Sequence, residues 1–563
     1  MNRQRKKYLY ESILLLSVLF VVMVSVHAQE PTVEDTPIVE EIVSVNEETT
    51  LLATEEVVQL VRMIQAYEQF RVREIDAEIF IGNEEVPMIW YHNGAYLFAD
   101  SAHWRQQYNT FEAFNNVRIV QGDTLFAYAN YLHYDGNTSL MRLRYNVRLE
   151  DPTATLFTDS LNYDRIANIG YFFEGGMLVD EENTLTAYWG QYSPDTNQAL
   201  FRDNVRLVNE NFVIYADTLI YNTVTTIADI QGPSRIVSED GIIYTSRGWY
   251  NTTTDEAMLL DLSRVYSNDR QTILTGDTIF YNRITGYGEV FGNMELTDWG
   301  RQAILRGNYG FYNEITEFGF ATNRAYIIDF SQPDSLFIGG DSLFMITINE
   351  DYRDFRAFAN VRVFHNDMQA ISDSLHYSAQ DSTIFMRGRP VIFHESSQIL
   401  GQEIDILLND STIERAYIRG GSLAAQQRIE TDQFDQLAGH NMTAYFYAGE
   451  IYRLHVVGNA ETIFYLEEDD GHVIGLNRTD SPYATFYIDN QEVVKIILMG
   501  PDAGGTTTPL PQLAPEATRL PRFVWLYYLR PLHSRDIFRR NIRHVDDDIE
   551  PVPARIARED RTL

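Results

Sequence analysis

Apolar and polar positions alternate along most of this chain with the two-residue period of a β-strand. In the stretch Ala216-Asp217-Thr218-Leu219-Ile220-Tyr221-Asn222, Leu219 and Tyr221 share one face and Thr218 and Ile220 share the other. Aromatic and β-branched residues dominate such stretches, which is typical of strands rather than helices. The alternation therefore predicts an all-β protein whose strands each carry an apolar face.

Copies of this stretch recur at a nearly fixed spacing. They cover residues 122–126, 158–163, 276–282, 340–344 and 372–377. With weaker echoes between them, consecutive copies are 28 to 36 residues apart. A fixed period in this range is typical of stacked repeats, so the repeat itself predicts the fold.

A second signature, Asn-Val-Arg followed by an apolar residue, begins at Asn116, Asn146, Asn204 and Asn360. The valine and the following apolar residue share one face, and the arginine points to the other. Polar turns such as Asn222-Thr223 connect the two signatures, so each repeat is one hairpin. Asn or Gly in mid-strand predicts a bend.

The predicted fold is an elongated antiparallel β-jellyroll, a V-shaped, solenoid-like stack of hairpin repeats of about 30 residues. Its apolar inner walls form either a trough that a ligand enters or a dry core.

The chain ends differ from the repeats. Residues 1–28 combine basic residues, an apolar run and a small-residue cleavage site after Ala28, which predicts a signal peptide and a periplasmic location. An uncleaved membrane anchor is the alternative, and association with the inner or outer membrane stays open. Residues 29–73 are predicted to be an acidic linker followed by a short helix at 54–71, where apolar residues fall at helical spacing.

The repeats are expected over residues 74–500, and residues 501–563 are expected to be a Pro-rich linker and tail. Within that tail, residues 523–529 form an apolar island followed by arginines. The island either folds back onto the last strand or docks a partner.

Charge and composition exclude several kinds of site. The net charge of −36 disfavours nucleic acid as a partner, because phosphate binding needs clustered cations. The chain has no cysteine, which excludes disulfides, thiolate metal sites and cysteine nucleophiles. Histidine pairs at metal-ligand spacing and a phosphate-binding loop with its lysine are also missing. We therefore expect no enzyme activity, no cofactor and no metal.

The motifs resemble those of the OstA-like, LptA-related family, and are most similar to the long OstA-like proteins of the Bacteroidetes type. The resemblance rests on the signal peptide, the Asp-Ser-Ala copy at 100–102, residues 114–117 and 121–124, and the repeats over roughly 75–500. It implies a jellyroll open along one side that binds the acyl chains of lipopolysaccharide. It also implies partners among other jellyroll transport proteins, joined by edge-to-edge strand pairing.

Together these observations predict a non-catalytic periplasmic protein that carries lipopolysaccharide or a related lipid toward the outer membrane in an apolar trough. The alternative is a structural or carbohydrate-binding β-solenoid at the cell surface. The residues expected to line the trough are Leu125, Leu161, Tyr163, Val205, Leu219, Tyr221, Ile279, Tyr281, Leu343, Val361, Leu375 and Tyr377.

Overall fold

The computed structural model describes residues 61–539, apart from 124, 332, 349–352, 410–411, 429–430, 448–449, 469–471 and 490–491. Within these residues the chain forms 36 strands and short 3₁₀ helices, and no α-helix. The predicted signal peptide at 1–28 and the acidic linker as far as residue 60 lie outside the described residues.

The first strands are β1 (Arg62–Gln65), β2 (Glu68–Val72), β3 (Ala77–Ile81), β4 (Met88–His92), β5 (Ala95–Ala99), β6 (Ser101–Arg105), β7 (Thr110–Gln121), β8 (Leu125–Asp135), β9 (Leu140–Glu150), β10 (Thr155–Asp164), β11 (Ile169–Phe172), β12 (Gly176–Val179), β13 (Thr184–Ala187), β14 (Trp189–Ser193), β15 (Gln198–Val208), β16 (Phe212–Asn222), β17 (Ile227–Ser238) and β18 (Gly241–Asn251). The later strands are β19 (Glu256–Ser267), β20 (Thr272–Asn282), β21 (Tyr287–Asp298), β22 (Ala303–Asn313), β23 (Phe318–Asp329), β24 (Leu336–Thr347), β25 (Arg353–Phe364), β26 (Met368–Ser378), β27 (Thr383–Arg387), β28 (Val391–His394), β29 (Ser397–Leu400), β30 (Glu403–Asn409), β31 (Thr412–Gln427), β32 (Phe434–Tyr447), β33 (Glu450–Glu467), β34 (Val473–Asp489), β35 (Glu492–Met499) and β36 (Gly504–Pro509). The 3₁₀ helices are Gln106–Tyr108, Leu510–Gln512, Pro515–Thr518, Tyr527–Leu529 and Ser534–Phe538.

The described residues divide into two compact units. The amino-terminal unit comprises residues 61–236 with Asn251–Thr253, and the carboxy-terminal unit comprises Val237–Tyr250 with residues 254–539. In both units each long strand pairs antiparallel with its neighbour in sequence, as β7 does with β8 and β20 with β21. The predicted all-β, antiparallel β-jellyroll class is confirmed.

Pairs of residues in the left-handed region bend every second long strand near its middle. Examples are Asn115 and Asn116, with φ of 60° and 50°, and Asp203 and Asn204, with φ of 63° and 56°. The pairing register shifts at these points. Asn is the residue that tolerates this conformation best after Gly, which explains its recurrence in the second signature.

The bend divides each repeat into two walls. On β10, for example, the half beyond residue 160 pairs with β11 and the half before it pairs with β12. We call the face that carries Val117 and Val205 the inner face, because these valines are buried. Arg118 and Arg206 point to the opposite, outer face and are exposed, as the alternation predicts.

The two sequence signatures meet at this bend. The Asn116 side chain donates a hydrogen bond to Asp100 over 3.1 Å, and Asn360 donates to Asp341 over 2.9 Å. Asn293 likewise donates to Asp277 over 2.8 Å. The aspartate of one strand therefore fixes the bend of the next, which gives the nearly constant spacing of the repeat a structural cause.

Gly292 lies in the bend beside Asp277 with φ of 78°, and a Cβ atom there would lie 2.4 Å from the Asp277 carboxylate. We expect Gly292→Ala to lower the free energy of unfolding by about 1–3 kcal/mol, through strain and the displaced carboxylate. Urea denaturation measures this change. Gly504→Ala is the matched control, because nothing lies within 4 Å of its Cβ position. Equal effects of the two substitutions would contradict the account of the bend.

Two sequence predictions in the amino-terminal unit are wrong. Gly122 and Asp123 lie in the turn between β7 and β8, since Gly122 has φ of 62°, so residues 122–126 are not a mid-strand copy of the repeat. The bend in that pair of strands instead falls opposite Asn130. The described part of the predicted helix at 54–71 forms β1 and β2, which pair with β4 and β3. Tertiary pairing here overrides local periodicity.

The predicted linker after residue 500 is also wrong for its described part. β36 pairs with β34. Residues 510–538, which we call the strap, fold back onto the carboxy-terminal unit and bury Leu520, Leu526 and Leu529. The apolar island thus folds back onto the sheet, but its contacts with Arg362 and Gln398 lie on β25 and β29 rather than on the last strand. The fold-back removes apolar residues on both surfaces from water.

Candidate functional site

The predicted lining residues lie on the inner faces of the two units. Leu161, Tyr163, Val205, Leu219, Tyr221, Ile279, Leu343, Val361, Leu375 and Tyr377 are at most 4% exposed. Leu125 and Tyr281 are half-buried. Leu125 is the first residue of β8 and shares the face of Ala127 and Ala129, which are buried. Within each unit, the inner face is thus apolar and largely closed to water.

An aromatic cluster fills the inner face where the amino-terminal unit begins. Trp90 contacts Phe80 with ring centroids 4.9 Å apart and stacks on Phe111 at 5.6 Å. Trp104 packs on Trp90 at 5.5 Å. Only a small cavity of about 30 Å³ remains beside this cluster. The interior at this point is therefore packed rather than open.

Opposite the bend, turns from the two walls meet along a line that we call the seam. In the amino-terminal unit, Tyr192 on β14 donates its hydroxyl hydrogen to Asp151 in the turn between β9 and β10. One repeat later, Tyr221 on β16 donates to Asp180 over 2.5 Å. Thr153 and Thr223 are joined by a hydrogen bond of 2.8 Å between their hydroxyl oxygens. These side chains hold the far edges of the walls together.

Arginines also hold the seam. At the start of the amino-terminal unit, Arg165 lies beside a contact of 2.5 Å between His92 Nδ1 and the Tyr134 hydroxyl. Arg165 donates to the backbone oxygens of His92 and Asn93 over 3.1 and 2.8 Å. In the carboxy-terminal unit, Arg283 pairs with Asp240 over 2.6 Å and with Asp255 over 3.2 Å. These bridges are polar contacts at the edge of the apolar inner face.

The tyrosine contacts differ in the carboxy-terminal unit. Tyr250 donates to Asp255 over 2.7 Å and Tyr281 donates to Glu314 over 2.9 Å, each along its own edge of the sheet. A cavity of about 90 Å³ opens beside Tyr281 and is lined by Ile243, Leu274, Leu296 and Tyr312. This cavity connects the seam with apolar side chains of the inner face.

Ionisation of the seam tyrosines lowers the free energy of unfolding in alkaline solution. Burial, then the hydrogen bonds to Asp151 and Asp180, raises the pKa of Tyr192 and of Tyr221 above the ordinary value of 10.0. In the unfolded chain these phenols ionise near pH 10, whereas in the folded protein they keep their protons to higher pH. Their contribution to stability is therefore complete below pH 10 and is lost as the pH rises above it.

We accordingly expect the free energy of unfolding to fall steadily above pH 10. Urea titrations at a series of alkaline pH values measure this fall. The double variant Tyr192→Phe/Tyr221→Phe should show a shallower fall, because phenylalanine does not titrate. An identical pH dependence in the variant would contradict the assignment.

A metal site and a membrane-spanning helix are both absent from the part of the chain that the structure describes. There, no group of three or more His, Asp or Glu side chains could hold a metal ion. Nor is any helix in this part long and apolar enough to pass through a membrane.

Part of the chain matches a known protein family. Residues 58–217 match the family of OstA-like proteins. The resemblance predicted from the motifs is confirmed for this OstA-like stretch. No curated protein matches the sequence.

The solved structures include LptH, the LptA-homologous periplasmic component of the conserved lipopolysaccharide transport device from Pseudomonas aeruginosa. It is similar to this chain with 13% identity, covering 25% of this chain and 95% of that one with a TM-score of 0.20.

Sequence reasoning missed the seam. Tyr192, Asp151 and Asp180 are not among the predicted site residues. A regular spacing in and beyond the OstA-like stretch could have indicated them. Tyr163, Tyr192, Tyr221 and Tyr250 follow one another at 29-residue intervals, and Asp180 follows Asp151 by 29 residues. Two polar residue types with one shared period indicate contacts repeated along a stack.

Proposed function

We propose that this protein is a non-catalytic periplasmic carrier that takes the acyl chains of lipopolysaccharide, or of a related lipid, between the walls of its jellyroll. The observation that carries the proposal is the cavity beside Tyr281, which opens from the seam onto apolar side chains. The family match of residues 58–217 to OstA-like proteins supports it, as does the apolar inner face on both sides of the bend.

The cavity of about 90 Å³ is smaller than the ligand sites of proteins, which measure about 300–1,000 Å³. An acyl chain therefore enters as the walls part along the seam. Parting the seam costs about 1 kcal/mol for each hydrogen bond that water replaces. Burying ten methylenes gains about 8 kcal/mol. The free energy gained by burying the acyl chain therefore exceeds the cost of opening a few bridges of the seam, and the lipid-bound state is favoured.

The protein recognises the acyl chains of the lipid rather than its headgroup. The net charge of −36 gives an anionic exterior that does not attract lipid phosphates. The headgroup stays outside the seam, in water. Apolar burial without headgroup selectivity suits a protein that passes its cargo on, because binding is broad and reversible.

Partners of the same fold can join at the sheet edges. β35 pairs with β34 and exposes Val493, Val494 and Ile496. At the other end, Met63 and Ile64 on β1 are exposed as well. Exposed apolar edge strands are templates for strand addition, so we propose edge-to-edge pairing with other jellyroll transport proteins.

Photo-crosslinking in cells tests the cargo. A photoreactive residue at Leu219, on the inner face, is expected to form lipid adducts. The same residue at the exposed Arg206 on the outer face of the same unit is the control and is expected to form none. Mass spectrometry of the adducts identifies the lipid. Absence of lipid adducts from Leu219, or equal yields at both positions, would reject the carrier function.

A further inference from the structure

A row of arginines and aromatic residues crosses the outer face of the amino-terminal unit. Phe98 lies directly opposite Arg118, Arg118 opposite Tyr128, and Tyr128 opposite Arg148 on successive strands. The row continues through Phe157 to Arg206 and Tyr215. We call it the outer row. Its residues belong to one wall and none of them faces the apolar interior.

The outer row concentrates positive charge in an acidic protein. Arg118 lies over the Phe98 ring at 4.3 Å, Arg148 over Tyr128 at 4.3 Å and Arg235 over Tyr215 at 4.7 Å. Each of these three guanidinium groups therefore lies over an aromatic ring of a neighbouring strand. Arg118, Arg206 and Arg235 are exposed. Arg148 is in addition paired with Glu150 over 3.0 Å. The result is an ordered cationic surface with apolar rings between the charges.

In the carboxy-terminal unit, the chain itself covers the corresponding row. Arg362, the arginine of the last Asn-Val-Arg signature, is 5% exposed and donates to the backbone oxygen of Leu529 over 3.0 Å. Tyr326 packs edge-on against Phe538 at 4.9 Å. Opposite Arg362 on β24, Gly339 leaves the space that Ile537 fills. A segment of the chain that crosses the strands, here with short 3₁₀ helices at Tyr527–Leu529 and Ser534–Phe538, is thus what this type of row accepts.

We propose that the outer row of the amino-terminal unit is a docking surface for an extended acidic polypeptide, and that its occupant is the chain's own segment at residues 29–60. This segment contains Glu and Asp at positions 30, 34, 35, 40, 41, 47, 48, 55 and 56, and has no Lys or Arg. Its charge is complementary to the row, and its valines and leucines match the rings between the arginines.

The geometry of the chain permits this contact. The segment ends at Val61, next to β1, which pairs with β4. On β4, Ile89 lies opposite Phe98 of β5, where the outer row begins. Strands are about 4.8 Å apart, so the row from β5 to β17 is on the order of 50 Å long. An extended segment of residues 29–60 reaches about 100 Å at about 3.3 Å per residue, which is more than enough.

Crosslinking within the full-length mature protein tests the proposal. A photoreactive residue in place of Tyr128 is expected to form intramolecular adducts that map to residues 29–60. Adding Arg118→Glu and Arg206→Glu should abolish these adducts, because the row then repels the segment. Arg142→Glu, an exposed arginine on the other wall of the same unit, is the matched control and should leave them unchanged.

Cleavage by a glutamate-specific protease gives an independent readout. We expect cleavage within residues 29–60 to be slow in the parent protein and in Arg142→Glu, and at least tenfold faster in Arg118→Glu/Arg206→Glu. Adducts from Tyr128 to lipid, to glycan or to a second molecule would overturn the assignment of the occupant. Equal cleavage rates in all three proteins would overturn the proposal as well.

Discussion

Leu526→Ala is expected to lower the free energy of unfolding of the carboxy-terminal unit by about 3 kcal/mol. Leu526 is 1% exposed and is part of the buried cluster that the strap forms with Phe393, Val391 and Leu400. Removing its side chain leaves a cavity within this cluster. Among substitutions of single side chains in this protein, we expect this one to have one of the largest effects.

Leu532→Ala is the matched control, because Leu532 belongs to the same strap but is 59% exposed. We expect it to change stability by less than about 0.5 kcal/mol. Hydrogen exchange of peptides from β28–β33 together with urea denaturation measures the two variants. Similar effects of both substitutions would show that the strap does not stabilise the wall beneath it.

The strap is held by hydrogen bonds as well as by apolar burial. The Gln398 amide donates to the Val524 oxygen over 2.6 Å and accepts from the Leu526 nitrogen over 2.8 Å. Gln436 makes the same pair of contacts with Thr518 and Leu520, each over 2.8 Å. Each buried glutamine side chain therefore supplies the strap backbone with the hydrogen bonds that a neighbouring strand would otherwise provide. Without the strap the Gln398 amide would lose both of these hydrogen bonds, and Gln436 would keep only its bond of 3.1 Å to the Phe434 oxygen.

The repeats, the strands and the face to which each side chain points could be predicted, because all three depend on the local alternation of apolar and polar residues. Val205 and Leu219 lie on the inner face and Arg206 on the outer one, as the two-residue period requires. The seam could not be predicted in the same way. The contact of Tyr192 with Asp151 joins residues 41 positions apart across the open side of the sheet, and its formation depends on how sharply the walls bend.

Errors at the ends of the repeat region have a common cause. Apolar spacing predicts a helix at 54–71, but its described part forms β1 and β2, which pair with the strand edges at β4 and β3. The apolar island at 523–529 was correctly marked as unusual, yet its site could not be found from sequence. The buried Arg362 shows why, since its signature is the same as that of the exposed Arg206.

A disulfide across the seam is expected to stop lipid capture by the amino-terminal unit. The hydroxyl oxygens of Thr153 and Thr223 are 2.8 Å apart and belong to turns of opposite walls. A sulfur–sulfur bond of about 2.05 Å at these positions fixes the two edges. Because the chain has no cysteine, Thr153→Cys/Thr223→Cys creates one defined crosslink. An acyl chain can then no longer part the walls beside Leu219.

The central claim, that the walls part along the seam to admit acyl chains, is tested by lipid adduct formation at Leu219 in this double variant. The account predicts adducts at the parental yield under reducing conditions and a background yield after oxidation. Addition of a reductant should restore them, and oxidation should not affect the parent protein. Undiminished adducts in the oxidised variant would contradict the account.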